Sequence, residues 1–366
     1  MANGDHSLKD SAEQRRLLIV RVGAMGDVLH AMPAVAALRA AHPEWFIGWV
    51  IEPRWKPLLQ DGSSMPLVDR VYLAATKEWK KRPFSSKTFG EIASLRKALR
   101  SEKFDVCVDM QGSVRSSVIG WISGARRFVG SAEPREAPAA WLYGERVNIA
   151  AAHVVEQGCE LLGGAVGEVL RPARVELPLD EPAEEACASM LDRLKLGSGG
   201  FVLLAPTAGW GAKQWPTERY GAVAAALGRR GFRVAVNAMS EDDPTAQEVV
   251  RASGGVAVAV PSDVPELIPL TRRAGLVIAG DTGPLHLAAA LERPVVALFG
   301  PTDPARNGPY GTNAKVLRHG PERRDHRRLQ EPEAGLMEIS VDEVVTAAME
   351  LLGADSQEPE SGKVER

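Results

Sequence analysis

Apolar residues in this chain gather in short, nearly unbroken runs, separated by longer segments in which apolar positions recur at a helical period. The runs Leu17-Leu-Ile-Val-Arg-Val22, 46–51, 104–109, 201–205, 232–238, 256–260, 274–279 and 295–299 are too short for helices and lack the alternation of a half-solvated strand. They predict strands buried on both faces. The periodic segments predict a helix from the loop after residue 23 through 41, and others at 88–101, 151–162, 183–194, 218–230, 265–273, 285–291 and 341–352. Strand, helix and strand in succession form the crossover unit of a parallel sheet. Pro33 is expected in the first regular turn of the first helix, where a missing N–H is tolerated.

Both halves open on a strand, a small-residue loop and a helix. The pattern implies an α/β protein of two Rossmann-like domains with parallel sheets facing a central cleft. A proline-rich stretch, 172–182, reads as an extended connection. The expected organisation is a disordered tail at 1–14, an N-terminal domain at 15–178, a linker at 179–200, a C-terminal domain at 201–353 and a disordered tail at 354–366. The last helix, 341–352, is a candidate to fold back onto the N-terminal domain.

Polar residues cluster where strands end. In Ala279-Gly-Asp-Thr-Gly-Pro-Leu-His286 a buried strand runs into a turn and a helix start, and 295–299 closes on Gly300-Pro-Thr-Asp-Pro304. Strand carboxyl ends and free helix N–H groups are where open α/β sheets bind phosphorylated ligands. Asp281, Thr282, Gly283 and His286 are therefore candidates for a phosphate site, with the bland alternative that His286 is a backbone-bonded helix-start histidine. Thr207 and Lys213, in the loop Pro206-Thr-Ala-Gly-Trp-Gly-Ala-Lys213, can offer a hydroxyl and a cation to the same ligand, and Glu241 follows the next strand, where an acid can meet a nucleoside. The first loop, Gly23-Ala-Met-Gly-Asp27, lacks the G-x-G-x-x-G spacing of a dinucleotide fold, although Glu52 stands where a ribose-binding acid would. Asp27 is either a helix-start carboxylate, worth about 0.3–1 kcal/mol, or a general base at the mouth of the first strand. His30 reads as structural.

Charge changes the picture more than composition does. The chain is 45% hydrophobic and 25% charged, as expected of a globular protein, and no stretch is long and apolar enough to span a bilayer. Residues 1–15 lack the apolar core of a signal peptide, so cytoplasm is expected. Three cysteines without metal-ligand spacing read as small buried side chains in a reducing compartment. Net charge is −3, yet residues 15–150 hold 21 Lys and Arg against 13 Asp and Glu. A basic N-terminal half suits an anionic partner, either a charged substrate, a membrane surface or nucleic acid. Trp79-Lys-Lys81, Arg115, Arg126, Arg127 and Arg135 supply this charge near loops. No nucleic-acid module is evident, and nucleic acid is not expected.

Three motifs, taken together and in order, resemble those of the ADP-heptose:lipopolysaccharide heptosyltransferases, glycosyltransferase family 9. They are Met25-Gly-Asp-Val-Leu-His30 with Pro33, Asp109-Met-Gln-Gly112, and Asp281-Thr-Gly-Pro-Leu-His286 with Gly300-Pro-Thr-Asp-Pro304; the likeness extends from residue 17 to about 352. It implies the GT-B fold and an inverting, metal-independent transferase without cofactor. Such an enzyme moves L-glycero-D-manno-heptose from ADP-heptose to the Kdo region of lipid A (Kdo2-lipid A or a similar anionic glycolipid), peripheral to the inner leaflet of the inner membrane. The resemblance implies that Asp27 is the base. It places Asp281, Thr282, Gly283, His286, Thr207, Lys213 and Glu241 at the donor, and Lys80, Lys81, Arg115 and Arg135 at the acceptor. The loop 207–213 departs from the family's polar sequence, and the C-terminal region lacks the cysteine cluster of some second-heptose enzymes, which leans toward addition of the first heptose. The alternatives are a family member with another acceptor or nucleotide-sugar donor, and a non-catalytic nucleotide-binding module.

Overall fold

The computed structural model describes residues 14–61, 64–197, 200–320 and 332–353. Apart from Gln14, the two expected tails lie outside these residues, as does the basic run 323–328. The first half contains strands β1 (Arg16–Val20), β2 (Phe46–Ile51), β3 (Arg70–Leu73), β4 (Val106–Asp109), β5 (Arg127–Ser131) and β6 (Glu145–Val147). Its helices are α1 (Met25–Ala41), α2 (Thr76–Lys81), α3 (Ser86–Ser101), α4 (Val114–Ser123) and α5 (Val154–Val166), and α6 (Glu181–Arg193) leads to the second half. There β7 (Phe201–Ala205), β8 (Arg233–Ala238), β9 (Ala257–Pro261), β10 (Leu276–Gly280), β11 (Val295–Leu298) and β12 (Ala314–Leu317) alternate with α7 (Thr217–Arg229), α8 (Pro244–Ala252), α9 (Val264–Arg273), α10 (Gly283–Ala290) and α11 (Pro304–Asn307). Helices α12 (Ala334–Glu338) and α13 (Val341–Leu351) end the described chain.

Both sheets are wholly parallel and share one winding. The first runs β3-β2-β1-β4-β5-β6 and the second β12-β11-β10-β7-β8-β9. Strand order reverses beside β1 and β4 in one and β7 and β10 in the other, which opens a crevice at the carboxyl ends of those strands. Alternation along each strand distributes the core. Leu17 and Ile19 pack under α1 and α5, while Leu18 and Val20 pack with Leu95, Leu99 and Ile119 under α3 and α4. In the second sheet Leu203 and Ala205 join the face covered by α9 and α10, and Val202 and Leu204 the face covered by α7 and α13.

Four expectations shift. The first helix begins at Met25, so Pro33 lies in its interior and not in its first turn; the loop after β1 is simply shorter than expected. Helix α13 packs on α7 and the second sheet through Val344, Val345, Ala347 and Ala348, not back onto the first domain, because its apolar face completes the second core. The stretch 179–200 carries the helix expected at 183–194, as α6, but is not a free linker: α6 packs on α9, and its Glu184 pairs with both Arg272 and Arg273. Strands β3, β5, β6 and β12 were not evident as apolar runs; they are short and partly exposed, with Arg70, Arg127, Glu145 and Lys315 among their residues.

The Asp109-Met-Gln-Gly112 motif finds its explanation in the fold. Asp109 is buried at the end of β4, where Oδ1 accepts from the backbone N–H of Gln111 (2.9 Å) and Gly112 (3.1 Å), and Oδ2 from the hydroxyls of Ser116 (2.9 Å) and Tyr143 (2.8 Å). Burial pushes its pKa up against these four donors. Gly112 has φ +68°, and a Cβ there would meet the backbone nitrogen of Arg135 at 3.0 Å. The loop so fixed aims Gln111, whose Oε1 accepts from the N–H of Val22 (3.1 Å) and Gly23 (3.2 Å) and so ties β4 to the first glycine loop. Asp109→Ala strands all four donors and should cost about 2–5 kcal/mol in denaturant melts. Asp109→Asn removes the charge that burial opposes and should lose less; a larger loss in Asn than in Ala would contradict this account.

Candidate active site

The site is built from four strand ends. In the second sheet, the loop after β7 delivers Lys213 and the turn after β10 delivers Asp281. The Lys213 ammonium pairs with Asp281 Oδ2 and also donates to the Asp281 carbonyl at 3.3 Å. Thr302, after β11, donates its hydroxyl to Oδ2 at 2.6 Å, and His286 Nε2 lies 3.0 Å from Oδ1. Both carboxylate oxygens are thus occupied within the chain. Burial opposes the charge on Asp281, but the His286 hydrogen bond and the Lys213 cation outweigh it and hold the pKa below the usual carboxylate range. Asp281 therefore positions Lys213 and His286 and has little left for a ligand, whereas the ammonium, with three N–H donors, keeps one for an anion. Trp210 lies over the same ammonium, 5.2 Å from ring centroid to Nζ. Thr282 stands at the N-cap position of α10 but makes no side-chain cap bond; its hydroxyl donates instead to the Gly280 carbonyl at 3.2 Å. The free N–H groups of the α10 N-terminus face the same crevice.

In the first sheet, Arg21 directly follows β1, a charge inside the apolar run 17–22. Its guanidinium donates to the carbonyls of Asp27 (3.0 Å) and Met110, and pairs with Asp27 Oδ1 at 3.2 Å. Asp27 Oδ2 accepts the Ala24 N–H at 3.1 Å, so the helix-start reading of Asp27 is realised. The carboxylate is still about one-third exposed and available to solvent or a ligand.

The two halves meet where α1 and α10 begin. A Cβ on Gly26 would stand 2.6 Å from Cδ2 of His286, and one on Gly283 would stand 2.6 Å from the sulfur of Met25. Glycine at both positions lets the two helix starts touch. One turn further, His30 Nε2 lies 3.0 Å from His286 Nδ1. With Asp281 ionised, Nε2–H of His286 donates to it, and in the neutral ring Nδ1 accepts the Nε2–H of His30. His30 is thus part of a chain, His30–His286–Asp281–Lys213, that crosses the domain seam. A second contact lies close by: His153 Nε2 is 3.1 Å from the Gly308 carbonyl, and the Tyr310 hydroxyl donates to Glu156 at 3.3 Å.

The remaining candidates lie outside this cluster. Thr207 is exposed, in the same loop as Lys213. Glu241 is exposed after β8, one strand beyond β7, and the neighbouring Asp243, not Glu241, caps α8. Lys80 and Lys81 are exposed on α2, with Lys81 2.7 Å from Glu78. Arg115 donates to Thr76 Oγ1 at 2.9 Å, and Thr76 donates to Glu52 at 2.5 Å. Glu52, buried and also bonded to the Lys77 N–H at 2.9 Å, holds the start of α2 and is not presented as a ribose-binding acid. Arg135 is exposed, its backbone against Gly112. Sequence reasoning missed Arg21, Gln111 and the reach of His30. Arg21 had a signal, a charge inside an apolar run; the other two depend on contacts made far along the chain.

Two Rossmann-like domains with a base candidate on one side of the seam and a cation-bearing phosphate site on the other define the layout of a GT-B glycosyltransferase. The family model for glycosyltransferase family 9 (heptosyltransferase) matches residues 92–336, and the chain belongs to that family. It is 29% identical over 307 residues to lipopolysaccharide heptosyltransferase 1 of Escherichia coli strain K12, covering 83% of this chain and 93% of that protein. The Pseudomonas aeruginosa protein of the same name is 28% identical over 318 residues, 81% of each chain. Among solved structures, E. coli heptosyltransferase WaaC with ADP superposes with a TM-score of 0.75 at 26% identity, over 92% of this chain and 99% of that one. The same enzyme with ADP-2-deoxy-2-fluoro heptose gives 0.72 at 25% over the same shares.

Burial, and then the fields of His286, His153 and Arg21, hold the pKa of His30 well below 6.5, with Asp281 pulling the other way. The unfolded chain therefore takes up this proton first as pH falls. Stability from the neutral His30 is complete above about 6.5 and declines below it. Denaturant midpoints measured from pH 7.5 down to 5 should fall, and His30→Asn should flatten that slope. An unchanged slope would show that His30 does not carry it.

Proposed function

We propose that this glycosyltransferase moves L-glycero-D-manno-heptose from ADP-heptose to the Kdo region of lipid A, with inversion, in assembly of the lipopolysaccharide inner core. The observation that carries the reading is the meeting of α1 and α10. It brings Asp27, one residue beyond the glycine that lies against His286, to the seam occupied by Lys213, Asp281 and His286. The names of the relatives, and the ADP and ADP-2-deoxy-2-fluoro heptose bound in the WaaC structures, support the donor.

In this reading Asp27 takes the proton of the acceptor hydroxyl as its oxygen bonds the anomeric carbon. The bond from that carbon to the diphosphate breaks, and ADP leaves with the electron pair. The remaining Lys213 N–H, the Thr207 hydroxyl and the N–H groups at Thr282 and Gly283 face the charge that develops on the diphosphate. In this reading the chain's own cations and dipoles take that role, and the mechanism calls on no metal. Glu241 reads the nucleoside. Lys80, Lys81, Arg115 and Arg135, on the rim of the first domain, meet Kdo carboxylates and lipid A phosphates. Among the described residues no helix is long and apolar enough to cross a membrane, so the enzyme would reach its acceptor from the inner-leaflet surface.

The test is ADP release from ADP-heptose with and without Kdo2-lipid A, for the wild type and Asp27→Asn. Release should require the acceptor and fall by about a thousandfold in the variant, with donor affinity retained. Tight donor binding without release would move the acceptor elsewhere in the family's range. Absence of ADP-heptose binding would overturn the donor assignment.

A further inference from the structure

Helix α4 carries Val114, Val118 and Trp121 at positions i, i+4 and i+7, the spacing of one helical stripe. A stripe of this kind ordinarily faces a core. Here the buried side of α4 is Ser116, Ser117, Ile119, Gly120 and Ser123, and the apolar stripe looks outward, with Trp121 61% exposed. The elements that pack against α4 carry further exposed aromatic residues. Trp141, on the short turn of helix that packs against α4, is 81% exposed, and Phe84 and Phe89 at the start of α3 are 89% and 58% exposed. Phe84 is held on an ordered turn. The Ser85 hydroxyl caps α3 by accepting the Thr88 N–H, and the Thr88 hydroxyl donates to the Arg82 carbonyl at 2.8 Å.

The border of this patch is basic. Residues 76–103 hold nine Lys and Arg against three Asp and Glu. Along α3, Arg96, Lys97 and Arg100 point away from the buried Leu95 and Leu99. Helix α4 is tied to both basic helices: Arg100 of α3 donates to the Ile122 carbonyl (3.2 Å), and Arg115 of α4 donates to Thr76 of α2 (2.9 Å), which sets the apolar stripe beside the basic residues. Among the described residues, neither the Trp121 nor the Trp141 indole N–H has a partner.

We propose that this face, α3 and α4 with the turns at 82–85 and 137–142, docks the protein on an anionic bilayer surface. Aromatic side chains with free polar tips enter the headgroup layer, and the basic border meets acidic lipid headgroups. An acidic protein surface would answer the charge but not the apolar stripe. The geometry has a purpose. Helices α2 and α4 start just beyond the carboxyl ends of β3 and β4, and α3 follows α2, so the end of this face that carries Phe84 and Val114 adjoins the rim of the cleft and a bilayer held there would reach the site's edge. The inference rests on the reading of a glycolipid acceptor only for that purpose; the docking itself needs no acceptor.

The test is therefore sedimentation with vesicles that contain neither donor nor acceptor. Vesicles of phosphatidylethanolamine with phosphatidylglycerol are compared with vesicles of phosphatidylcholine. Wild-type protein should bind the anionic vesicles, less so as salt rises. The pairs Val118→Ser with Trp121→Ser, Phe84→Ser with Phe89→Ser, and Arg96→Glu with Lys97→Glu should each weaken binding about tenfold, with melting temperature and ADP affinity unchanged. A wild type left in the supernatant, equal binding to neutral vesicles, or folded variants that bind as well as the wild type would each overturn the proposal. Loss of heptosyl transfer with vesicle binding intact would instead count against the reading of the active site.

Discussion

Two helix N-termini can meet only where nothing projects between them. The closeness of α1 and α10 is the constraint on which the rest of this structure depends, and Gly26 and Gly283 supply it from opposite domains. Without that approach His30 and His286 would not share a hydrogen bond, and Asp27 and Lys213 would belong to separate crevices. Loops at the carboxyl ends of two sheets become one site because two side chains were left off. The arrangement also sets the partial positive charge of two helix dipoles near each other, a repulsion that Asp27 on one helix and Asp281 before the other offset.

Asp281 bears the other half of the burden. A carboxylate this deeply enclosed is stable only with both oxygens answered, and here a lysine, a threonine and a histidine answer them. Removing a single partner of such a group leaves an uncompensated charge, typically a loss of about 3–5 kcal/mol. That cost explains why residues from β7, β10 and β11, distant in the chain, must all be in place before the loop geometry is correct.

The parallel strands of both cores were legible because each is an apolar run, and the motif at 279–304 marked its site because strand, turn and helix start follow in sequence. Lys213 and Asp281 were both singled out, yet only the fold shows that they bond to each other. Edge strands such as β3 and β12 escaped notice since one side of each faces solvent and their charges mask the pattern. Glu52 misled for a related reason: its place after β2 suits a ribose-binding acid, but Thr76, 24 residues later, claims it. His30 is the clearest case. Nothing near it in sequence announces a partner, and its partner lies 256 residues away.

The apolar cluster beneath α1 does not stop at the domain boundary. It runs from Leu17 and Ile47 through Met25 and Leu29 to Leu285, and on to Val277 and Val295 in the second sheet. Each sheet keeps a cluster of its own on its other face, but this shared one couples the melting of the two domains. Heating should therefore give a single endotherm for the pair, and either half expressed alone would expose the face that the other now covers and would be prone to aggregate.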